Sequence, residues 1–513
     1  MISNKRHFAY NLLTSYGNTI ISSILAFVSV PIALNYWGSE LYGIWTILTS
    51  FATYITASGL GIDCATGLLM TKNTDYRIKI SILKKGVKLL LLTTFIAACI
   101  IATLTITIPN WFKIIGKMDE ANYPIAKIAT FIFVSGIIIN LPLSAVSNSL
   151  QAFGKAYVGT IINTIQTILG FLSIVVTVIL KLSLPFYVLI VQSITILCSL
   201  IKLFVVLITV RNEKNNMDSE EPIAESTDNS YKSILKMGIN MSLYGLAILL
   251  IPNFSNLIIS NNVDVKSLIP YSLSYKLFST IILFVSNMNV ALAPLLGKEY
   301  GNKNWDWLIK THKRMFYAST TLAVFCVLGV IWFSKSFIKI WTGTYDNYAG
   351  NLISILLGLY FLITVVSNIN QVIINSFNYT DKVWLISWAD GFLFLVSSLL
   401  MIKSIGVLSV PLGLCSGAYL VSSWAYPLIV YLRTEKRFKY DFSFLLKLLF
   451  VFIVSILAYL FISNLNISFI WISVLELLGM LVTALFLFWI LPKELKNSLL
   501  TKLKIKDTKN DNK

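Results

Sequence analysis

The chain has 513 residues and a net charge of +18, yet only 12% of it is charged and 56% is apolar, with a mean hydropathy of +0.77. Soluble domains carry roughly 25% charge, so lipid rather than water surrounds most of this surface. A soluble multidomain protein is excluded, and so is a nucleic-acid binder, because the basic residues are scattered along the chain rather than gathered on one face.

A membrane-crossing helix needs about 20 mostly apolar residues. Such stretches predict an all-α polytopic membrane protein with about fourteen spans, at 11–34, 41–62, 87–108, 125–148, 158–180, 186–210, 237–260, 267–293, 314–334, 350–374, 384–402, 407–432, 444–463 and 469–491. Lys5 and Arg6 before span 1 mimic a signal peptide. That run, however, carries Asn11, Ser15, Asn18 and Ser22, is long enough to cross, and lacks a small-residue cleavage site. It reads as an uncleaved first helix.

Span 4 carries Asn140, Ser144, Ser147 and Gln151, spaced four, three and four apart, which places them on one helix face. After span 6 comes a polar, acidic segment at 211–236 (Glu220, Glu221, Glu225, Asp228), read as a flexible linker. Span 10 repeats the polar stripe as Thr364, Asn368, Gln371 and Asn375, at an offset of 224 residues. Pro31 in span 1 and Pro252 in span 7 also correspond roughly. The tail from Pro492 carries seven lysines and is expected to lie on anionic lipid heads.

An offset of six spans is even, so the two copies have the same orientation. The expected division is a six-helix bundle at 1–210, the linker at 211–236, a second bundle at 237–432, two extra helices at 433–491 and the tail at 492–513. Transporters built from two parallel repeats bind substrate near the membrane midplane and expose it to either side in turn. The rival reading of such stripes is plain helix packing, since small polar residues let membrane helices approach. Two stripes in register favour a shared cavity wall.

Of the 41 basic residues, 31 fall on inward segments or the inner ends of spans when the N-terminus is inside, and only 7 on outward loops. That bias places both termini in the cytoplasm. The five cysteines show no paired spacing and suit a disulfide framework poorly. His7 and His312 have no partner at metal-ligand spacing, and no G-x-x-x-x-G-K-[ST] loop or D-x-D motif occurs. No cofactor and no enzymatic step is expected. A transporter without nucleotide machinery would run on a cation gradient, with H+ or Na+ as the coupling ion.

Charges inside spans are costly and mark function by default. Lys276 lies about ten residues into span 8 and Lys202 about nine from the inner end of span 6. Each is either a cavity cation or a snorkelling side chain. Asp390, about seven residues into span 11, is a candidate proton carrier or the partner of a lysine. Asp63, at the inner end of span 2, is a gate latch to a basic loop residue or a solvated helix end. Most tryptophans, Trp37, Trp45, Trp332 and Trp471 among them, are expected to be interfacial anchors.

Several short segments resemble a known family. Tyr36-Trp37-Gly38-Ser39-Glu40-Leu41-Tyr42-Gly43-Ile44-Trp45 resembles the "lGxxxyGlw" turn between helices 1 and 2 of polysaccharide flippases of the MOP superfamily, the group that also holds drug and toxin extruders. Gly59-Leu60-Gly61 looks like that family's small-residue helix end. Leu150-Gln151-Ala152-Phe153-Gly154-Lys155 is similar to its "lqaxgr" loop, and Tyr271-Ser272-Leu273-Ser274-Tyr275-Lys276-Leu277 to its "yxxaxkl" element. Each motif alone is weak; their order, with the right number of spans between them, is more specific. Span 1 has no cationic residue in its membrane part, a departure that speaks against a strict lipid II flippase.

The resemblance implies a multi-pass protein of the bacterial plasma membrane that flips undecaprenyl-pyrophosphate-linked oligosaccharide repeat units for O-antigen, capsule or teichoic-type polymers. Its partners would be the lipid-linked oligosaccharide, membrane lipids and a glycan polymerase or glycosyltransferase complex, with the chain itself a monomer. The expected substrate cavity gathers Asn18, Asn140, Ser144, Ser147, Lys202, Tyr271, Tyr275, Lys276, Thr364, Asn368 and Gln371. Lys276 would meet pyrophosphate or acidic sugars, and Tyr271 or Tyr275 would stack on a sugar. A drug exporter of the same architecture and a non-transporting scaffold of a glycan synthesis complex are the other readings.

Overall fold

The computed structural model describes residues 2–73, 75–107, 116–215, 230–290, 292–377, 379, 383–465, 469–492 and 495–496. The linker acids and most of the tail lysines lie outside the described residues. Among the described residues every regular element is helical. In the first half these are α1 (Ile2–Ala57), α2 (Ile62–Lys72), α3 (Tyr76–Thr107), α4 (Tyr123–Asn140), α5 (Ser144–Ala152), α6 (Ala156–Ile179) and α7 (Leu184–Asn215). There follow α8 (Tyr231–Asn262), α9 (Val265–Val290), α10 (Ala293–Gly301), α11 (Trp305–Thr342), α12 (Asn351–Ser376) and α13 (Trp384–Ile405). The chain ends with α14 (Ser409–Gly417), α15 (Ser423–Arg433), α16 (Phe442–Ser463) and α17 (Phe469–Ile490).

Eleven described helices are long and apolar enough to cross a membrane. Two of them, Gly17–Thr53 and Trp384–Arg433, each take up two predicted spans, and α8 covers span 7 in addition. Every predicted span therefore has a helical counterpart. Large apolar side chains face outward along them: Phe95, Leu400 and Trp489 are 68%, 77% and 74% exposed, which suits acyl chains and not water.

Local sequence explains where these helices depart from the predicted boundaries. Spans 1 and 2 join as α1, interrupted only at Gly38, whose φ of 73° and ψ of 174° take the left-handed side open to a residue without Cβ. Span 4 divides into α4, a 3-10 turn at Leu141–Leu143 and α5, because Pro142 cannot donate to the α-ladder. Between α14 and α15 the chain makes a π-turn at Ala418–Ser422. Pro31 lies inside α1 and Pro252 inside α8, at the roughly matching positions of the repeat.

By packing, the chain divides into two compact units, Met1–Ile269 and Pro270–Lys513. The boundary falls past the 211–236 linker that the sequence marks, so α8 packs with the first unit. Ile62, Leu69 and Met70 of α2, Ile82 and Leu90 of α3, Val146 and Leu150 of α5, Val206 of α7 and Ile234 of α8 form one core there.

The second unit is fastened by Trp332. This side chain is buried, and its indole donates to Ser455 Oγ of α16 at 3.0 Å. Ser455 in turn meets Thr483 of α17 at 3.1 Å. A Cβ on Gly479 of α17 would lie 2.1 Å from the indole, so only glycine admits the ring. Helices α16 and α17 are thereby locked to α11, and Trp332 is a packing residue rather than the interfacial anchor expected. Trp332→Ala should cost about 3–5 kcal/mol through the cavity it leaves; a large fall in melting temperature in detergent is the expected readout.

Candidate functional site

A cavity of about 420 Å³ opens within the first unit. It is lined by Trp45, Thr49, Ala52, Thr56 and Gly59 after the Gly38 break, by Asp63 at the start of α2, by Phe133, Ile137 and Asn140 of α4 with Leu141, by Ser144 of α5, and by Val191, Gln192 and Thr195 of α7. The break at Pro142 does not remove the predicted stripe from one wall: Asn140 and Ser144 both face the cavity. Ser147, one turn on, is half-buried and is not among the lining residues, and Gln151 is exposed.

Polar atoms here are only partly consumed by the fold. Asn140 Oδ1 is buried with no hydrogen-bond partner among the described residues. Ser144 Oγ donates to the Leu141 carbonyl at 2.8 Å. Asp63 Oδ2 accepts from Asn148 Nδ2 at 3.1 Å. Among the described residues the acid is thus held by an amide one helix away. Gln192 is buried, and Thr195 Oγ1 accepts from Gln166 Nε2 at 3.2 Å.

Trp45 is the residue that sequence reading missed. Its ring lies edge-on to Phe133, with centroids 5.9 Å apart, and to Tyr187 at 5.0 Å, and it lines the cavity instead of anchoring at an interface. Trp37, also expected at an interface, is buried against Tyr187 at 4.8 Å. A hint was available: Thr49, Ala52 and Thr56 follow Trp45 at four, seven and eleven residues, which puts them on the same helix face, although Thr46, Ser50 and Thr53 make the rest of the span weakly polar too.

Two other first-unit candidates are engaged in packing. Lys202 is buried, and its Nζ donates to Asn163 Oδ1 of α6 at 2.7 Å. It neither snorkels nor lines the cavity. Asn18 Oδ1 accepts from Thr164 Oγ1 of α6 at 3.0 Å, which ties the start of span 1 to the same helix.

In the second unit, Tyr271, Tyr275 and Lys276 lie on α9. Tyr275 sits 6.1 Å from the ring of Tyr271 and 5.2 Å from that of Phe361, while Lys276 is half-buried. The second stripe lies on the unbroken α12. Thr364 donates back to the Phe361 carbonyl at 2.7 Å. Asn368 Oδ1 accepts from Asn289 Nδ2 at 3.5 Å, and buried Asn289 accepts from Ser319 of α11 at 2.7 Å. Gln371 is half-buried. Asp390 of α13 is buried; Ser422, in the π-turn, donates to its Oδ2, and its Oδ1 has no partner among the described residues.

The long seam between α8 and the first helices completes the first unit. At one end Gly238 of α8 meets the Leu60–Ile62 turn: a Cβ at 238 would lie 2.7 Å from the Leu60 carbonyl oxygen, and one at Gly61 only 2.6 Å from that of Gly238. Midway, Asn256 Nδ2 donates to Ser50 Oγ at 2.9 Å. At the other end the Lys117 amide donates to the Ser260 carbonyl at 2.9 Å, and the Val265 amide to the Lys117 carbonyl at 3.2 Å.

Comparison with known proteins follows the same lines. Residues 242–401 match the MatE family model. A protein of Salmonella typhi described as "Putative O-antigen transporter" is 22% identical over 437 residues, covering 83% of this chain and 96% of that protein. Another of the same description, from Salmonella typhimurium (strain LT2), is 20% identical over 212 residues, or 41% of this chain and 49% of its own length. The fold matches the lipid II flippase MurJ in an inward closed conformation with a TM-score of 0.66 at 14% identity, covering 93% of this chain and 98% of that one. It also matches an inward-facing multidrug resistance MATE family transporter of the MOP superfamily, with a TM-score of 0.63 at 13% identity, covering 82% and 95%. At such identities the solved structures speak to the fold. Family model, relatives and fold together bear out the resemblance carried by Tyr36–Trp45, Leu150–Lys155 and Tyr271–Leu277.

Proposed function

We propose that this chain, a multi-pass membrane transporter of the MOP superfamily, flips an undecaprenyl-pyrophosphate-linked oligosaccharide repeat unit from the inner to the outer leaflet of a bacterial plasma membrane by alternating access. The observation that carries the reading is the lining of the first-unit cavity. Amides and hydroxyls from Thr49, Thr56, Asn140, Ser144, Gln192 and Thr195 surround two aromatic rings and a single acid. A sugar ring offers hydroxyls at its edge and an apolar C–H face, which such a lining matches. Asn140 Oδ1, an acceptor without a partner among the described residues, is where a sugar hydroxyl would donate.

Lys276 is the cation proposed to meet the pyrophosphate. Asp390, with one carboxylate oxygen bonded to Ser422 and the other buried without a partner among the described residues, is proposed to carry the coupling ion, H+ or Na+. The chain would work as a monomer with both termini in the cytoplasm, beside a glycan polymerase and glycosyltransferases, without catalysing a reaction itself.

Depleting the protein in cells that make a surface polysaccharide should leave lipid-linked oligosaccharide on the cytoplasmic leaflet. Absence of that build-up would overturn transport and favour a scaffold. Trp45→Ala should cut polymer export about fivefold at unchanged membrane level, since an aromatic contact contributes about 1 kcal/mol. The MATE match favours one second reading, export of small cationic drugs. Under it, depleted cells would become drug-sensitive while making normal surface polymer.

A further inference from the structure

The end of the α8 seam away from Gly238 is closed by charge. Glu40, two residues past the Gly38 break, is buried, and its carboxylate accepts from the backbone amide of Asp119. Lys266, in the first turn of α9, places Nζ 3.5 Å from Glu40 Oε2 and 3.1 Å from Asp119 Oδ2. Three segments far apart in sequence thus meet at one ammonium: the turn between spans 1 and 2, the loop before α4 and the turn between α8 and α9. Two other charges nearby have partners of their own. Lys117 Nζ reaches the Asn262 carbonyl at 3.4 Å, and Asp264 caps α9 through the amide and hydroxyl of Ser267.

We propose that Glu40, Asp119 and Lys266 form a latch that holds this face of the transporter shut and must part each time the face opens. In the orientation proposed above, on which the side assignment rests, this face is the outer one. The backbone pairs at Lys117 hold the loop before α4 against the α8–α9 turn, the Asp119 amide joins that loop to Glu40, and the ammonium neutralises a carboxylate that would otherwise be buried unpaired. Among the described residues the opposite end of the seam shows no ion pair; there α8 closes on the Leu60–Ile62 turn through Gly238. The two ends therefore respond to different conditions. Lys266 and Asp119 are exposed, so added salt weakens the latch. The Lys266 ammonium, with Glu40, holds the Asp119 carboxyl below the usual carboxylate range. A lowered pKa means that the contribution is complete above the ordinary carboxylate value and is lost only as pH falls through the lowered one. External pH between about 5 and 8 should leave the latch unchanged.

The test is a protein whose native cysteines are replaced and which carries Thr49→Cys in the cavity wall, labelled in intact cells with a membrane-impermeant maleimide. Lys266→Met should raise the labelling rate about fivefold, the scale of one partly exposed ion pair. Asp119→Asn, which alters an exposed side chain, should raise it in the same direction. Lys266→Arg, which keeps the charge, should stay near the parent, and 1 M NaCl should raise the parent but not Lys266→Met. Equal labelling of the parent, Lys266→Met and Asp119→Asn would overturn the latch. A separate Lys181→Cys variant reports orientation, because the Leu182 carbonyl beside it accepts from Tyr36 Oη on the same face. If it reacts only in inverted vesicles, the orientation is wrong and the same comparison, made in those vesicles, still decides the latch.

Discussion

Gly238→Val should abolish polymer export while leaving the protein in the membrane. A Cβ at this position would come within 2.7 Å of the Leu60 carbonyl oxygen and 3.1 Å of the Ile62 amide nitrogen, and both are backbone atoms that cannot rotate away. The γ-methyls of valine add to that clash, so α8 must retreat from the turn. Overpacking of this kind costs about 1–3 kcal/mol. A penalty of that size, borne only by the state in which the seam is closed, depletes that state roughly tenfold to a hundredfold. A cycle that needs both ends to close in turn would stall with one end parted. Thr56→Cys, in the cavity wall, should then react faster with an impermeant reagent in inverted vesicles. Gly238→Ala, which adds one methyl, should give an intermediate defect. Wild-type export by the valine variant would mean that this contact never has to close.

Lys276→Ala should lower export about tenfold to a hundredfold at normal membrane abundance, the effect of losing a hydrogen bond to a charged group. An ammonium near mid-membrane costs about 3 kcal/mol on insertion scales, and α9 keeps it half-buried beside Tyr275. That cost is offset if an anion visits the site in each cycle. Lys276→Arg should retain part of the activity, because charge survives while shape does not. Surface polymer measured against membrane protein level decides the matter, and unimpaired export in the alanine variant refutes the role.

How far the sequence reached depended on whether the deciding interaction was local. Hydropathy located every span, because the bilayer imposes its length on each segment separately. Of the stripe that helical periodicity put on one face, Asn140 and Ser144 line a cavity while Ser147 and Gln151 do not, because the Pro142 break interrupts that period. Periodicity does not say what that face meets. Position alone leaves Lys202 either a cavity cation or a snorkelling side chain, whereas its ammonium donates a hydrogen bond to Asn163, 39 residues away. Trp45 and Trp332 had the composition of interface anchors, yet one lines the cavity and the other fills a notch made by Gly479. No spacing in the sequence joins Lys266 to Glu40 and Asp119, since these partners come from two distant turns.

The motif at Tyr36–Trp45 gains a physical account in the same way. Gly38 breaks the helix, Glu40 receives Lys266, Trp37 packs on Tyr187, and Trp45 lines the cavity. Ten residues that look like a family signature therefore perform four separate tasks, and Trp37 and Trp45 share Tyr187 as a neighbour.

The wide turn at Ala418–Ser422 bears on how relatives of this chain should be compared. A π-turn holds one residue more than a regular helical turn, and each residue advances a helix by about 100°. Downstream of it, Ala425, Tyr426 and Val430 point inward, with Tyr426 bonded to Ser387 at 2.7 Å. A homologue shorter by one residue at this point would, if its helix ran on regularly, turn that whole inner row by more than a quarter-circle towards the acyl chains. A one-residue gap placed here in an alignment is consequently a statement about helix phase, and closing it for tidiness would pair inward positions with outward ones.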